Sequence, residues 1–183
     1  MSVDPTMNLI GRFLILVVTS LFRPKGQDPF ITIRQRRRVW LHDMDLNIHL
    51  TAARYFSFGD LCRIQWLVDC GLGKDFLFGR YRAVLNAQEL TYIREFPPFS
   101  RVDVVVRLKC WDEKYAYFEQ RFYRGDTLHS IGHARMAILH KGKVISAGQV
   151  FGRDGEPMVS PPETEAIQDW KETLAAKRDQ FSG

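Results

Sequence analysis

Asp43, Asp45, Asn47 and His49 stand at every second position of one short stretch. A carboxylate in such a place can act as a general base on water or attack a carbonyl directly. An asparagine can orient the carboxylate, the water or the carbonyl, and a histidine can move protons near neutral pH. The stretch ends where a helix is expected to begin, and a helix start offers unpaired N–H groups and partial positive charge. A reactive carbonyl placed there would be polarised and its tetrahedral oxyanion stabilised. Where the leaving group is already a good one, this chemistry calls for no metal and no cofactor. The same spacing also suits a capped helix and an ordinary polar loop, since Asp and Asn favour both. A metal reading of Asp43, Asp45 and His49 is the weaker alternative, because no second ligand group in the chain supports it.

Hydrophobic period identifies the elements around this stretch. Phe30 to Leu41 suits a strand, with Ile31, Ile33, Val39 and Leu41 on one parity and Thr32, Arg34, Arg36 and Arg38 on the other. The run Arg36-Arg37-Arg38 reads as a solvated strand face, with a phosphate contact as the alternative. Ala52 to Cys70 has no proline and a single glycine, and its apolar residues cover nearly all sides of a helix, the mark of a buried one. Gly71 and Gly73 end it. Phe76, Phe78 and Tyr81 follow, as the lining of a ligand groove or as core and lid. Arg82 to Phe96 reads as a long strand stopped by Pro97-Pro98, and Val102 to Cys110 as a second, with Cys110 on the face of Val102. Tyr115 to Tyr123 and Leu128 to His140 are further strands, joined by the tight Arg124-Gly125-Asp126 connection. Ser130, Gly132 and Ala134 share a face, small enough to let a helix come close. A short strand through Ala147 and a polar helix from Glu163 to Phe181 complete the chain. One strand, one buried helix, then sequential strands imply an α+β fold in which an antiparallel sheet wraps around one central helix, the hotdog architecture. The open sheet edge is commonly covered by a second copy, so a homodimer or homotetramer is expected.

The bulk properties fit. The chain has 183 residues, 45 % hydrophobic and 26 % charged, which suits one ordinary globular domain rather than a disordered chain. The net charge of +5 favours anionic partners, but the basic residues are dispersed and no nucleic-acid motif is present, so no nucleic-acid partner is expected. Three cysteines without a CxxC pair indicate reduced thiols and a cytoplasmic setting. Leu9 to Phe22 is apolar, yet short for a bilayer span and interrupted by Arg12. It reads as a helix packed on the domain or across a dimer, or as one lying in a membrane interface with Arg23 and Lys25 at the headgroups. Residues 7–25 are thus the candidate for peripheral membrane association. The resulting organisation is a hydrophobic N-terminal helical segment over 1–29, the central domain over 30–150, and a tail with a helix over 151–183.

The stretch HDMDLNIHLTAARY, from His42 to Tyr55, resembles the D-x-D-x-N-x-H-x-N-N-x-x-Y signature of hotdog thioesterases. Asp45 matches the aspartate of the 4-hydroxybenzoyl-CoA thioesterase family. Asp45, Asn47 and His49 together match the D-x-N-x-H of plant acyl-ACP thioesterases. Leu90 to Glu95 is similar to the strand that ends in a glutamate in those enzymes, which adds Glu95. DCGLG at Asp69 to Gly73 and KCWDEKYAYFEQRF at Lys109 to Phe122 also resemble family segments, with the closest likeness to the group around thioesterase superfamily member 6. The resemblance covers about Phe30 to Gln149. It implies an acyl-CoA thioesterase with Asp45, Asn47, His49 and Glu95 as catalytic residues and substrate-binding helix-start amides near Ala53 and Tyr55. Where the family has paired asparagines, this chain has Thr51 and Ala52, and the plant enzymes' cysteine is replaced by Phe96. The first change keeps a second function open, a non-catalytic acyl-CoA-binding or membrane-associated protein. A hydratase is a third, weakened by the lack of a typical His–Asp pairing. His42 flanks the loop, and His129, His133 and His140 read as structural or surface residues.

Overall fold

Period-two alternation builds five long strands, and the one helix that is apolar on most sides has to be covered by them. The computed structural model describes residues 28–152 and 155–180, together with Gly11, Leu14 and Val18. Those three are helical; the rest of the expected membrane-contacting segment, residues 7–25, lies outside the described residues. The strands are β1 (Ile33–Arg38), β2 (Arg82–Tyr92), β3 (Arg101–Trp111), β4 (Tyr115–Arg124), β5 (Thr127–His140) and β6 (Lys143–Ile145). The helices are α1 (Ala52–Asp69), α2 (Gly73–Leu77), α3 (Ala147–Phe151) and α4 (Glu165–Gln180). Every pairing is antiparallel in the order β1-β3-β4-β5-β2, and β6 joins β5 beyond the end of β4. This is the hotdog architecture expected from the sequence. Among the described residues, no helix is long and apolar enough to cross a membrane.

The core lies between α1 and the inner face of the sheet. Tyr55, Phe58, Cys62 and Trp66 of α1 bury against Val102, Val104, Val106, Phe118 and Phe122. The Trp66 indole packs edge-on to Phe118 and donates to the Pro29 carbonyl at 2.8 Å, so this large ring is buried without an orphan N–H. The helix stops at Cys70. Gly71 takes φ 74°, and the Leu72 N–H bonds the Leu67 carbonyl at 2.9 Å, the glycine-dependent reversal expected there.

Several side chains differ from the simple alternation. Arg37 is not on a solvated face: it shares parity with Ile33 and Val39, is buried, and donates to Gln35. Arg34 and Arg36 do face outward, where Asp103 of β3 holds both at 2.9 and 2.8 Å. Leu41 is exposed, because the chain leaves β1 for a 3₁₀ turn over Leu41–Asp43. A bulge between Leu108 and Cys110 reverses the parity of β3 and sends Cys110 to the outer face. There it packs with Tyr117 beneath Ile167 and Trp170 of α4. The small residues of β5 serve both neighbours: a Cβ at Gly132 would run into the Glu89 carbonyl of β2, while Ser130 meets Tyr55 of α1 and Ala134 lies in the core with that helix. The last short strand ends at Ile145, and Ser146 caps α3 through its hydroxyl.

Candidate active site

The polar stretch folds into a small closed loop ahead of α1. Met44 and Leu50 form an antiparallel bridge, the Asp45 N–H bonds the His49 carbonyl at 3.0 Å, and the Ile48 N–H bonds the Asp45 carbonyl at 3.1 Å. Closing this loop forces Ile48 to φ 62°, a left-handed conformation that a β-branched residue rarely adopts. Asp45 holds the loop from within. Its Oδ1 accepts the N–H of Asn47 at 2.9 Å and of His49 at 3.3 Å. Among the described residues its Oδ2 takes no hydrogen bond. Asp45 and Asn47 are both exposed.

Asp43 fixes the loop to the helix. Its buried carboxylate takes the Trp40 N–H at 3.0 Å and the Arg54 Nε at 2.9 Å, with His42 Nε2 at 3.4 Å. Its carbonyl takes the Thr51 N–H at 2.9 Å. The N-cap Thr51 makes no side-chain cap, so the α1 start is left to Ala52 and Ala53, both exposed. The first N–H groups of the helix thus have no side-chain cap from Thr51. Tyr55 stands elsewhere: it is one turn further in and buried among Tyr92, Phe96 and Phe122. Burial raises its phenol pKa. It supports the helix start from inside, and the accessible amides are those of Ala52 and Ala53.

The second wall comes from the chain just after β2. His49 Nε2 lies 3.1 Å from Glu95 Oε2, although the two residues are 46 positions apart. The Leu50 N–H bonds the Phe96 carbonyl at 3.1 Å, tying the same two segments. His129 of β5 positions this wall, which is the structural alternative of its sequence reading. Its carbonyl takes the N–H groups of Ile93 and Arg94 at 2.8 and 2.9 Å, and its Nδ1 lies 2.9 Å from the Glu95 carbonyl, which assigns the proton to Nδ1. The ring stacks on Phe96 at 4.3 Å. Thus Asp45, Asn47, His49 and Glu95 stand on two bonded segments at the mouth of α1. Among the described residues no three His, Cys, Asp or Glu side chains converge as a metal site. The thiols of Cys62, Cys70 and Cys110 are buried, and burial pushes Cys62 up to about 12.

Comparison with known proteins agrees with the fold. The family model described as the thioesterase-like superfamily matches residues 39–168. Protein THEM6 of Danio rerio is 34 % identical over 85 residues, 46 % of this chain and 42 % of that protein. The chain thus spans less than half the length of that curated relative. A probable thioesterase from Bartonella henselae superposes with TM-score 0.56 at 20 % identity, covering 63 % of this chain and 98 % of that one. A Staphylococcus aureus protein, SAV2348, solved in complex with CoA, superposes with TM-score 0.59 at 18 % identity, covering 76 % of this chain and 94 % of that one. At these identities the structural likeness is one of fold.

Burial lowers the pKa of His129, so the unfolded chain binds its proton first as the pH falls. This contribution to stability is complete above the unfolded value of roughly 6.5 and is lost as the pH drops toward the folded one. The urea midpoint should fall between pH 7.5 and 5.5, and His129→Gln should flatten that fall. Parallel pH slopes in the two proteins would show that His129 is not the group responsible.

Proposed function

The chain belongs to the thioesterase-like superfamily, and on that premise we propose that it hydrolyses acyl-CoA-type thioesters to the free acid and CoA. The observation that carries this reading is the His49–Glu95 contact, 3.1 Å, set beside the Asp45 loop and the uncapped start of α1. The thioester carbonyl oxygen is placed at the Ala52 and Ala53 N–H groups, where the helix start favours the developing negative charge. Asp45 Oδ2 takes a proton from water, whose oxygen bonds to the acyl carbon. Direct attack by the same oxygen, followed by hydrolysis of the resulting anhydride, uses the same residue. Asn47 orients water or carbonyl. Collapse of the oxyanion breaks the C–S bond, and the thiolate leaves or takes a proton relayed through His49, which Glu95 holds in place. CoA as the carrier is supported by the net charge of +5 and by the fold neighbour solved with CoA.

We also infer a homo-oligomer built on a homodimer. β2 is the last strand of the sheet, bonded to β5 along one side, and it exposes Val84, Leu85 and Tyr92, with Ile93 exposed just beyond it. An apolar open edge of this kind is covered by strand pairing with a second copy. Val84→Arg should shift sedimentation from dimer or larger to monomer. A wild-type protein that already sediments as a monomer would refute the pairing.

A panel of acyl-CoAs of increasing chain length, followed by thiol release, tests the activity. Wild type should turn over at least one member, and Asp45→Ala should lose about a hundredfold or more in kcat, the scale of a positioned acid–base group. Equal rates in both proteins would exclude the mechanism. Saturable binding of the esters without turnover would instead make the chain an acyl-CoA-binding protein.

A further inference from the structure

Arginine is rarely buried deep in a domain without pairing, yet Arg63 of α1 is only 3 % exposed. Its Nη1 donates to Gln120 Oε1 at 2.9 Å, and its Nη2 to Gln88 Oε1 at 3.4 Å and to Asp60. Gln120 is wholly buried on β4. With its Oε1 taken by Arg63, its Nε2 has no acceptor among the described residues. A buried donor left unmet is costly. Packing does not require this cluster, because apolar residues of similar volume serve a core at least as well as a buried ion pair. The cluster offers donors, so what would complete it is an acceptor.

Its position relative to the candidate site is set by helix geometry. Tyr55, Gly59 and Arg63 recur every four residues and share one face of α1. At the near end Tyr55 meets Tyr92 of β2 with ring centroids 5.1 Å apart, and at the far end Arg63 meets Gln88 of the same strand. Leu90 lies between these two β2 positions and is half-buried. At Gly59 there is no side chain, and a Cβ would run into the Gln120 amide, so the polar group comes right up to the helix. The outermost member, Asp60, has a side chain 53 % exposed, so the cluster reaches the surface along the seam between α1 and β2. From Ala53 to Arg63 is about 15 Å along the helix.

Resting on the thioesterase reading above, we propose that this seam carries the acyl group and that Arg63, with Gln88 and Gln120, recognises an oxygen at its far end. The preferred substrates are medium-length acyl thioesters with a terminal carboxylate, hydroxyl or oxo group, and plain alkanoyl chains of the same length are disfavoured. A plain chain would leave the Gln120 amide without an acceptor and would place methylenes against a polar cluster.

The test compares kcat/KM for length-matched CoA thioesters, alkanoyl against ω-carboxyl and ω-hydroxyl, using the full chain. Propionyl-CoA, too short to reach Arg63, reports hydrolysis independently. Wild type should favour at least one oxygenated ester by about tenfold or more, as a site built to hydrogen-bond its substrate does. Arg63→Met should bring that ratio close to one. Gln88→Leu, at a half-buried position on β2, should lower the ratio too and serves if Arg63→Met does not fold. A wild-type preference for the alkanoyl ester, or a ratio unchanged in the folded variants, would overturn the inference. Turnover of propionyl-CoA alongside either result would leave the thioesterase reading standing. Turnover of no ester would remove both.

Discussion

The buried carboxylate of Asp43 is the constraint on which the site depends. A charge at this depth has to be matched, and Asp43 is matched from two directions, by Arg54 in the first turn of α1 and by the Trp40 N–H before the loop. Its carbonyl meanwhile holds the Thr51 N–H. These bonds fix where the loop ends and where the helix begins. Everything placed there follows: the Asp45 loop, the strained Ile48 and the uncapped donors of Ala52 and Ala53. The residue one step along in the polar stretch is thus divided from its neighbour by function, with Asp43 turned to structure and Asp45 left at the surface.

The sheet completes what the loop begins. Strand β5 holds the 93–95 segment through both the carbonyl and the ring of His129, and that segment presents Glu95 to His49. The hotdog order puts β5 beside β2, so this contact depends on a pairing between strands that are not adjacent in sequence. Curvature matters as well. Gly132 lets the β2 backbone approach β5 where any side chain would collide with Glu89, and Tyr92 at the end of β2 meets Tyr55 of α1. Only a glycine tolerates that approach.

Period and spacing made the order of elements legible, because each signal is local. The strand alternation, the helix apolar on most sides and its glycine stop all have causes within a few residues. Asp45, Asn47 and His49 were legible as a spaced set, and Glu95 through a resemblance to a family strand. What local pattern could not supply was anything set by a distant partner. Arg37 is the exception, since the parity it shares with Ile33 and Val39 is local and points it inward, and only its place in a run of three arginines masks this. Cys110 reads as a core residue, yet one bulge in β3 turns it outward beneath α4. His129 carries no motif, and only the pairing of β5 with β2 brings it to Glu95. Tyr55 has the family position but lies a turn too deep to line the mouth of the helix. The buried Arg63 was hidden for the same reason, since Gln88 and Gln120 come from separate strands.

We propose that two segments of the chain, joined at His49 and Glu95, act as one catalytic unit. A double-mutant cycle on hydrolysis of one acyl-CoA tests it, using His49→Gln, Glu95→Gln and the pair. If Glu95 works through His49, the double variant should be no slower than the poorer single variant, within about twofold in kcat/KM. Losses that multiply in the double variant would mean that the two side chains act independently, and would contradict the account.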